Sequence, residues 1–212
     1  KGVLDRKPDM TKRVLTIAQR ITAQVETIKP ATKDWTWEMH VINTSTVNAF
    51  CTGQGKMAVF EGMITTLKLT DDELAAIIGH EIAHAVAQHG SERMSQALLQ
   101  QLGGVALQVA ISNKPAETQN LFMTAYGIGS SVGYILPFSR KEENEADEYG
   151  LYFSAMGGYN PQEAIPFWQR MTAAGGAKPP EFLSSHPSDE TRTANLKKYM
   201  PQALKYYRPI KR

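Results

Sequence analysis

The chain has 212 residues, a mass of 23.5 kDa and a formal net charge of +2, with 42% hydrophobic and 21% charged residues. This composition excludes a disordered chain, a collagen and a coiled-coil rod, and it predicts a single domain over residues 1–212 that needs no disulfide to hold its core. So small a charge excess leaves no electrostatic footprint for nucleic acid, and a lone cysteine, Cys51, excludes a multi-cysteine metal cluster.

Residues 10–28 predict an amphipathic helix, with Val14, Ile17, Ala18, Ile21 and Val25 at helical spacing and Lys29-Pro30 as its stop. Residues 35–42 alternate and read as a strand. Residues 47–51 and 56–60 flank Thr52-Gly53-Gln54-Gly55, whose turn chemistry predicts a hairpin. A short helix follows at 62–69. Thr70 and Glu73 then have the spacing of a capping box, opening a helix that runs to about His89 and stops at Gly90.

Two charge-free stretches, 94–113 and 118–139, are joined by Lys114-Pro115-Ala116-Glu117. A membrane-spanning helix needs about 20 mostly apolar residues. Gln96, Gln100, Gln101 and Gln108 interrupt the first stretch, and Gly127, Gly129, Ser130, Ser131 and Gly133 the second, so a helical hairpin at about 94–139, packed on the domain, is expected instead. A charged helix at 140–156 ends at Gly157-Gly158. Another runs from Asn160-Pro161 to Gly175-Gly176. After a loop through Pro179, Pro180 and Pro187, a last helix is expected from Ser188 to Met200.

The chemistry is concentrated in His80-Glu81-Ile82-Ala83-His84. Histidines four apart on a helix share a face and can hold one cation, and Glu81 stands beside it as a base for water. Ile77, Ile78, Ile82, Ala83 and Val86 surround the pair, so the helix is expected to be buried; burying two imidazoles and a carboxylate without a metal would be expensive. A catalytic zinc wants a third protein ligand. His89 lies about 140° round the helix from His84 and faces away, Gly90 stands where a metzincin would need histidine, and His40 reads as a surface residue. The better source is Glu142-Glu143-Asn144-Glu145-Ala146-Asp147. Glu143 and Asp147 share a face, so one could bind zinc while the other fixes a ligand histidine. Spacing alone leaves Glu142, Glu143 and Glu145 open as ligands.

Three ordered segments carry a family resemblance: Gly79-His80-Glu81-Ile82-Ala83-His84, then Ser139-Arg140 with Glu143, Glu145-Ala146-Asp147 and Gly150, then Ser185-His186-Pro187-Ser188 with Arg192. The chain resembles the zinc metallopeptidases grouped with CAAX prenyl protease 1 and the HtpX-type peptidases, and most of all their soluble bacterial envelope members, the BepA-like and LoiP-like proteins. The resemblance implies a mainly helical α+β domain of gluzincin type, with a small sheet beside the zinc helix. It implies one zinc ion per chain held by His80, His84 and Glu143, with Glu81 as catalytic base, Asp147 and Arg192 in support, and His186 either donating to the oxyanion or binding zinc as an inhibitory fourth ligand. It further implies endopeptidase action on unfolded or misassembled polypeptide paired with a sheet edge, or a chaperone-like assembly factor with a latent site. A peripheral membrane contact and a periplasmic or lipid-anchored envelope location complete the expectation.

Overall fold

The computed structural model describes residues 2–131, 133, 136–174, 180–186 and 191–210. It divides into two compact units, one formed by Lys1–Ala87 with Glu143–Arg212 and the other by Gln88–Glu142.

The first unit is built around α3 (Asp71–Val86), in which every residue from Glu73 to Val86 is buried. Its start is fixed as the sequence predicts: the Glu73 N–H donates to Thr70 Oγ1 at 3.3 Å, and the Thr70 N–H donates to Glu73 Oε2 at 2.9 Å. Its end comes earlier than predicted. The helix stops at Val86, Gln88 takes a left-handed φ of 61°, and Gly90 lies inside the next helix. The Lys29 ammonium takes the Val86 carbonyl at 3.0 Å, so the free carbonyl end is satisfied where the chain turns.

Helix α1 (Pro8–Ile28) lays Val14, Ile17, Ile21 and Val25 into the core, and Arg13 ties it to Asp71 and to the Leu69 carbonyl at 2.6 and 2.7 Å. Strand β1 (Glu38–Ile42) is shorter than the alternation suggested. Trp35 and Trp37 precede it as a tilted ring pair, with Trp37 packed over Gly55. Strands β2 (Ala49–Cys51) and β3 (Lys56–Phe60) form the predicted antiparallel hairpin. β1 joins β3 in parallel, so the sheet order β1-β3-β2 leaves β2 at an edge. Helix α2 (Glu61–Thr66) leads into α3.

Helix α6 (Leu136–Met156) brings the acidic residues back to α3. The two helices touch backbone to backbone: a Cβ on Gly79 would lie 2.6 Å from the Gly150 carbonyl oxygen, and one on Gly150 would lie 2.8 Å from the His80 nitrogen. Helix α7 (Ala164–Ala174) buries Phe167, Trp168 and Met171, and a short α8 (Glu181–Ser185), absent from the sequence reading, buries Phe182. The last helix, α9 (Arg192–Tyr206), is longer than predicted and runs on through Pro201. Its buried residues Leu196, Met200 and Ala203 give a packing reason to continue past one missing N–H. Ser188, expected as its cap, lies outside the described residues.

In the second unit, α4 (His89–Ala110) pairs with α5 (Ala116–Ser130) as a hairpin that begins before the expected residue 94, while residues 136–139, expected in it, belong to α6. The Tyr126 hydroxyl donates to the Gln100 carbonyl at 2.9 Å, and Gln100 Nε2 donates to Ser130 Oγ at 2.7 Å. Among the described residues no helix is long and apolar enough to cross a membrane.

The glycine crossing is directly testable. Gly150→Ala forces two backbones apart, and overpacking of this kind costs about 1–3 kcal/mol. A urea melt should show that loss, whereas Gly127→Ala, where a Cβ would meet open space, should not.

Candidate metal centre

Helix α3 presents His80 and His84 one turn apart, and both are at least nine-tenths buried. Their Nε2 atoms face each other at 3.1 Å. Glu143, on α6, completes a triangle: its Oε2 lies 3.3 Å from His80 Nε2, and its Oε1 lies 3.3 Å from His84 Nε2. His186, at the end of α8, caps the triangle, with Nδ1 3.3 Å from His80 Nε2 and 3.1 Å from Glu143 Oε2. These four residues form one donor group.

Do the donors fit zinc? Ligand atoms about 2.0–2.1 Å from a tetrahedral ion are separated from one another by roughly 3.3 Å. The separations above, 3.1 to 3.3 Å, match that edge length. Imidazole lone pairs directed at one another in a buried site would repel without a cation between them. Zinc, the metal of three-nitrogen and carboxylate sites, fits this group.

The local electrostatics agree. Burial opposes the charge on Glu143, but the imidazoles of His186, His80 and His84 together outweigh it and hold the carboxyl far below the usual carboxylate range. Burial pushes His84 well below the ordinary histidine range, which leaves a neutral ring able to ligate. For His80, burial is outweighed by bonds to Asp147 and Glu143, so its basicity is raised. His80 Nδ1 donates to Asp147 Oδ1 at 2.9 Å, which fixes the tautomer and turns Nε2 toward the donor group. Arg192 Nη2 donates to the same Asp147 oxygen at 2.6 Å and lies 3.7 Å from Glu143 Oε2.

Among the three acidic candidates the geometry separates what spacing left open. Glu143 joins the histidines, Glu142 pairs with Arg93 at 2.6 Å, and Glu145 lines a separate apolar cavity of about 440 Å³ with Tyr149, Tyr152 and Tyr206. His40 bonds to Asp5 at 2.7 Å, and His89 belongs to the second unit; neither is in the donor group. Glu81 lies beside it, with Oε1 3.3 Å from His186 Nε2.

Sequence reasoning missed two aromatic supports. The Arg192 guanidinium sits 3.2 Å over the Trp168 ring, Trp168 stacks on Phe182 at 5.7 Å, and Phe182 stacks on His186 at 4.6 Å. This column runs beneath the donor group from one of its supports to one of its members. An aromatic residue in a helical run reads as core, and no spacing rule relates positions 168, 182 and 192.

A family model for peptidase family M48 matches residues 8–200. The chain is 37% identical over 172 residues to the mitochondrial metalloendopeptidase OMA1 of Schizosaccharomyces pombe, covering 80% of this chain and 48% of that protein. It is 33% identical over 212 residues to the OMA1 metalloendopeptidase of Homo sapiens, covering 95% and 40%. It is 26% identical over 197 residues to the beta-barrel assembly-enhancing protease of Yersinia pestis, covering 90% and 39%. The chain thus spans half or less of the length of these relatives. The expectation of a bacterial envelope location is corrected by these findings: the relatives at 33 to 37% identity are mitochondrial proteins, not bacterial envelope ones. The motifs behind the expectation are the donor group and the residues that touch it, which metal chemistry would require in any compartment, whereas an address is carried by separate segments.

Three substitutions check the centre. Asp147→Ala is expected to weaken zinc affinity by about 10–100-fold, since it frees the His80 ring. Glu143→Ala should lose most of the bound zinc and Glu145→Ala should keep it, measured by metal analysis after dialysis.

Proposed function

The chain belongs to peptidase family M48, and on that footing we propose that it is a zinc metalloendopeptidase domain acting on unfolded or misassembled polypeptide, in protein quality control. The observation that carries this reading is the buried convergence of His80, His84 and Glu143 with Glu81 alongside.

His80, His84 and Glu143 hold the metal. Zinc supplies Lewis acidity toward a scissile carbonyl and lowers the pKa of a water to about 7. Glu81, which is not in the donor group, takes the proton of the attacking water and passes it to the leaving amine. Asp147 and Arg192 hold the His80 ring and the Glu143 carboxylate in place. Extended substrate pairs its main chain with the β2 edge, so side-chain sequence matters less than an unfolded backbone. The finer kinship with BepA-like proteins is supported by the likeness to the beta-barrel assembly-enhancing protease.

His186 is the residue whose role divides two readings. Its Nδ1 lies among the donor atoms, which supports a fourth ligand that closes the metal and leaves no room for water. That placement also supports the second reading, a chaperone-like assembly factor with a latent protease site. A role as oxyanion donor requires the ring to leave the donor group. The exposed apolar residues Met94, Leu98, Leu102, Val105 and Val109 on the charge-free face of α4 support a peripheral membrane contact.

Three measurements test this. Glu81→Gln should keep zinc and lose hydrolysis of an unfolded protein by about 10²–10⁴-fold; near-normal turnover would remove Glu81 from the chemistry. His186→Ala should raise kcat if the ring closes the metal. A fall of about 10²–10³-fold would instead assign it to the oxyanion. Flotation with zwitterionic vesicles should recover the chain independently of salt, and Leu98→Lys with Val105→Lys should abolish recovery. Failure to float at any salt concentration would remove the membrane contact from the reading.

A further inference from the structure

The open edge of the sheet and the segment that carries His186 are tied together by one side chain and one main-chain bond. The Phe60 N–H donates to the Asn48 carbonyl at 3.0 Å, and the Thr52 N–H donates to the Lys56 carbonyl at 2.8 Å, with Phe50 opposite Ala58 between them. In an antiparallel pair this alternation turns the main-chain groups of residues 48, 50 and 52 toward β3, and those of Val47, Ala49 and Cys51 toward the open edge.

Two of those edge groups are already engaged. The Val47 carbonyl accepts the Phe182 N–H at 3.1 Å. The Ala49 N–H donates to Asn48 Oδ1 at 2.8 Å. The same carboxamide reaches the other way, its Nδ2 donating to Glu181 Oε1 at 3.1 Å. Glu181 opens α8, five residues before His186, and the His186 N–H donates to the Phe182 carbonyl at 2.9 Å. Segment 181–186 therefore holds the head of the edge at one end and places an imidazole in the donor group at the other.

We propose that Asn48 is a positioning residue that couples occupation of the β2 edge to the placement of His186. The inference rests on the reading that extended polypeptide pairs with β2. An incoming strand needs the Ala49 N–H and the Val47 carbonyl. To take them it displaces the Asn48 carboxamide and the Phe182 N–H, which removes the two bonds described between the head of the edge and α8. The Phe182 ring stays seated in the core, so the loss falls on the polar ties and loosens the turn that ends at His186. A substrate long enough to reach Ala49 thus frees the metal-facing position, and a short peptide does not.

Hydrogen exchange on the zinc-loaded Glu81→Gln chain, with carboxymethylated casein as an extended probe, reads the coupling apart from turnover. The probe is expected to slow exchange at Ala49 and Cys51 and to speed it at Phe182. In Asn48→Asp the two facing carboxylates repel, so Phe182 should exchange fast without the probe. The double variant Asn48→Asp with Glu181→Gln rebuilds the bond in the opposite direction and should restore the slow rate. In chains with Glu81 intact, Asn48→Asp should raise cleavage of a short peptide relative to casein by about 5–10-fold, the lower range of coupling between sites. The double variant should return that ratio to normal. Absence of protection at Ala49 and Cys51 would remove the edge-pairing reading and the proposal with it. Protection at the edge with no change at Phe182, or an unchanged short-to-long ratio in Asn48→Asp, would overturn the coupling and leave edge pairing standing. Equal loss on both substrates that the double variant does not restore would mean that Asn48 is merely structural.

Discussion

The contact between Gly79 and Gly150 sets the distance on which the site depends. Helices usually pack with axes 8–10 Å apart, kept there by side chains at the crossing. Here neither helix has a side chain at the crossing, and the Gly150 Cα lies against the His80 backbone. Asp147 stands one turn before Gly150 and Glu143 one turn before that, so the acidic face of α6 is delivered to the rings of His80 and His84. With a wider crossing, Asp147 could not meet His80 Nδ1 at 2.9 Å while Glu143 meets Nε2 of the same ring at 3.3 Å.

That proximity also explains how so much polarity is tolerated in the interior. His80, Glu81, His84, Glu143, Asp147, His186 and Arg192 are all buried. Isolated charges in such a place would be neutralised or expelled. Each of these residues instead meets another of the set: Arg192 serves Asp147, Asp147 serves His80, and the imidazoles serve Glu143. The network is anchored in apolar material, because the guanidinium lies flat on Trp168 and the His186 ring on Phe182. Orientation is therefore set by shape as well as by charge.

Much of this was legible in the sequence where the signal is local. The Thr70–Glu73 cap, the paired histidines and the hairpin around Gly53 are short-range patterns, and each stands where it was read. The acidic helix could be read as a source of ligands, but its helical register alone did not separate Glu142, Glu143 and Glu145. Their roles depend on what each meets across space, Arg93, the histidines or the cavity beside Tyr149. Helix ends were less legible, because Val86 and Pro201 have tertiary partners: an ammonium just past α1 takes the last carbonyl of one helix, and a buried stripe carries the other on. Trp168 and Phe182 were invisible as site residues because stacking leaves no periodic trace.

The four donors are also far apart along the chain: 106 residues separate His80 from His186, and 43 separate Glu143 from His186. An ion that gathers them works as a staple across long loops, and the entropy it removes from the unfolded chain grows with the logarithm of loop length. Because such an ion binds the folded chain in preference to the unfolded one, its free concentration sets the population of open states. Metal supply would then govern how long the folded chain survives proteolysis. Between His80 and His186 such a staple would close a loop of about half the chain, so the same ion that fits the donor group would also hold the two ends of the first unit's helical layer together.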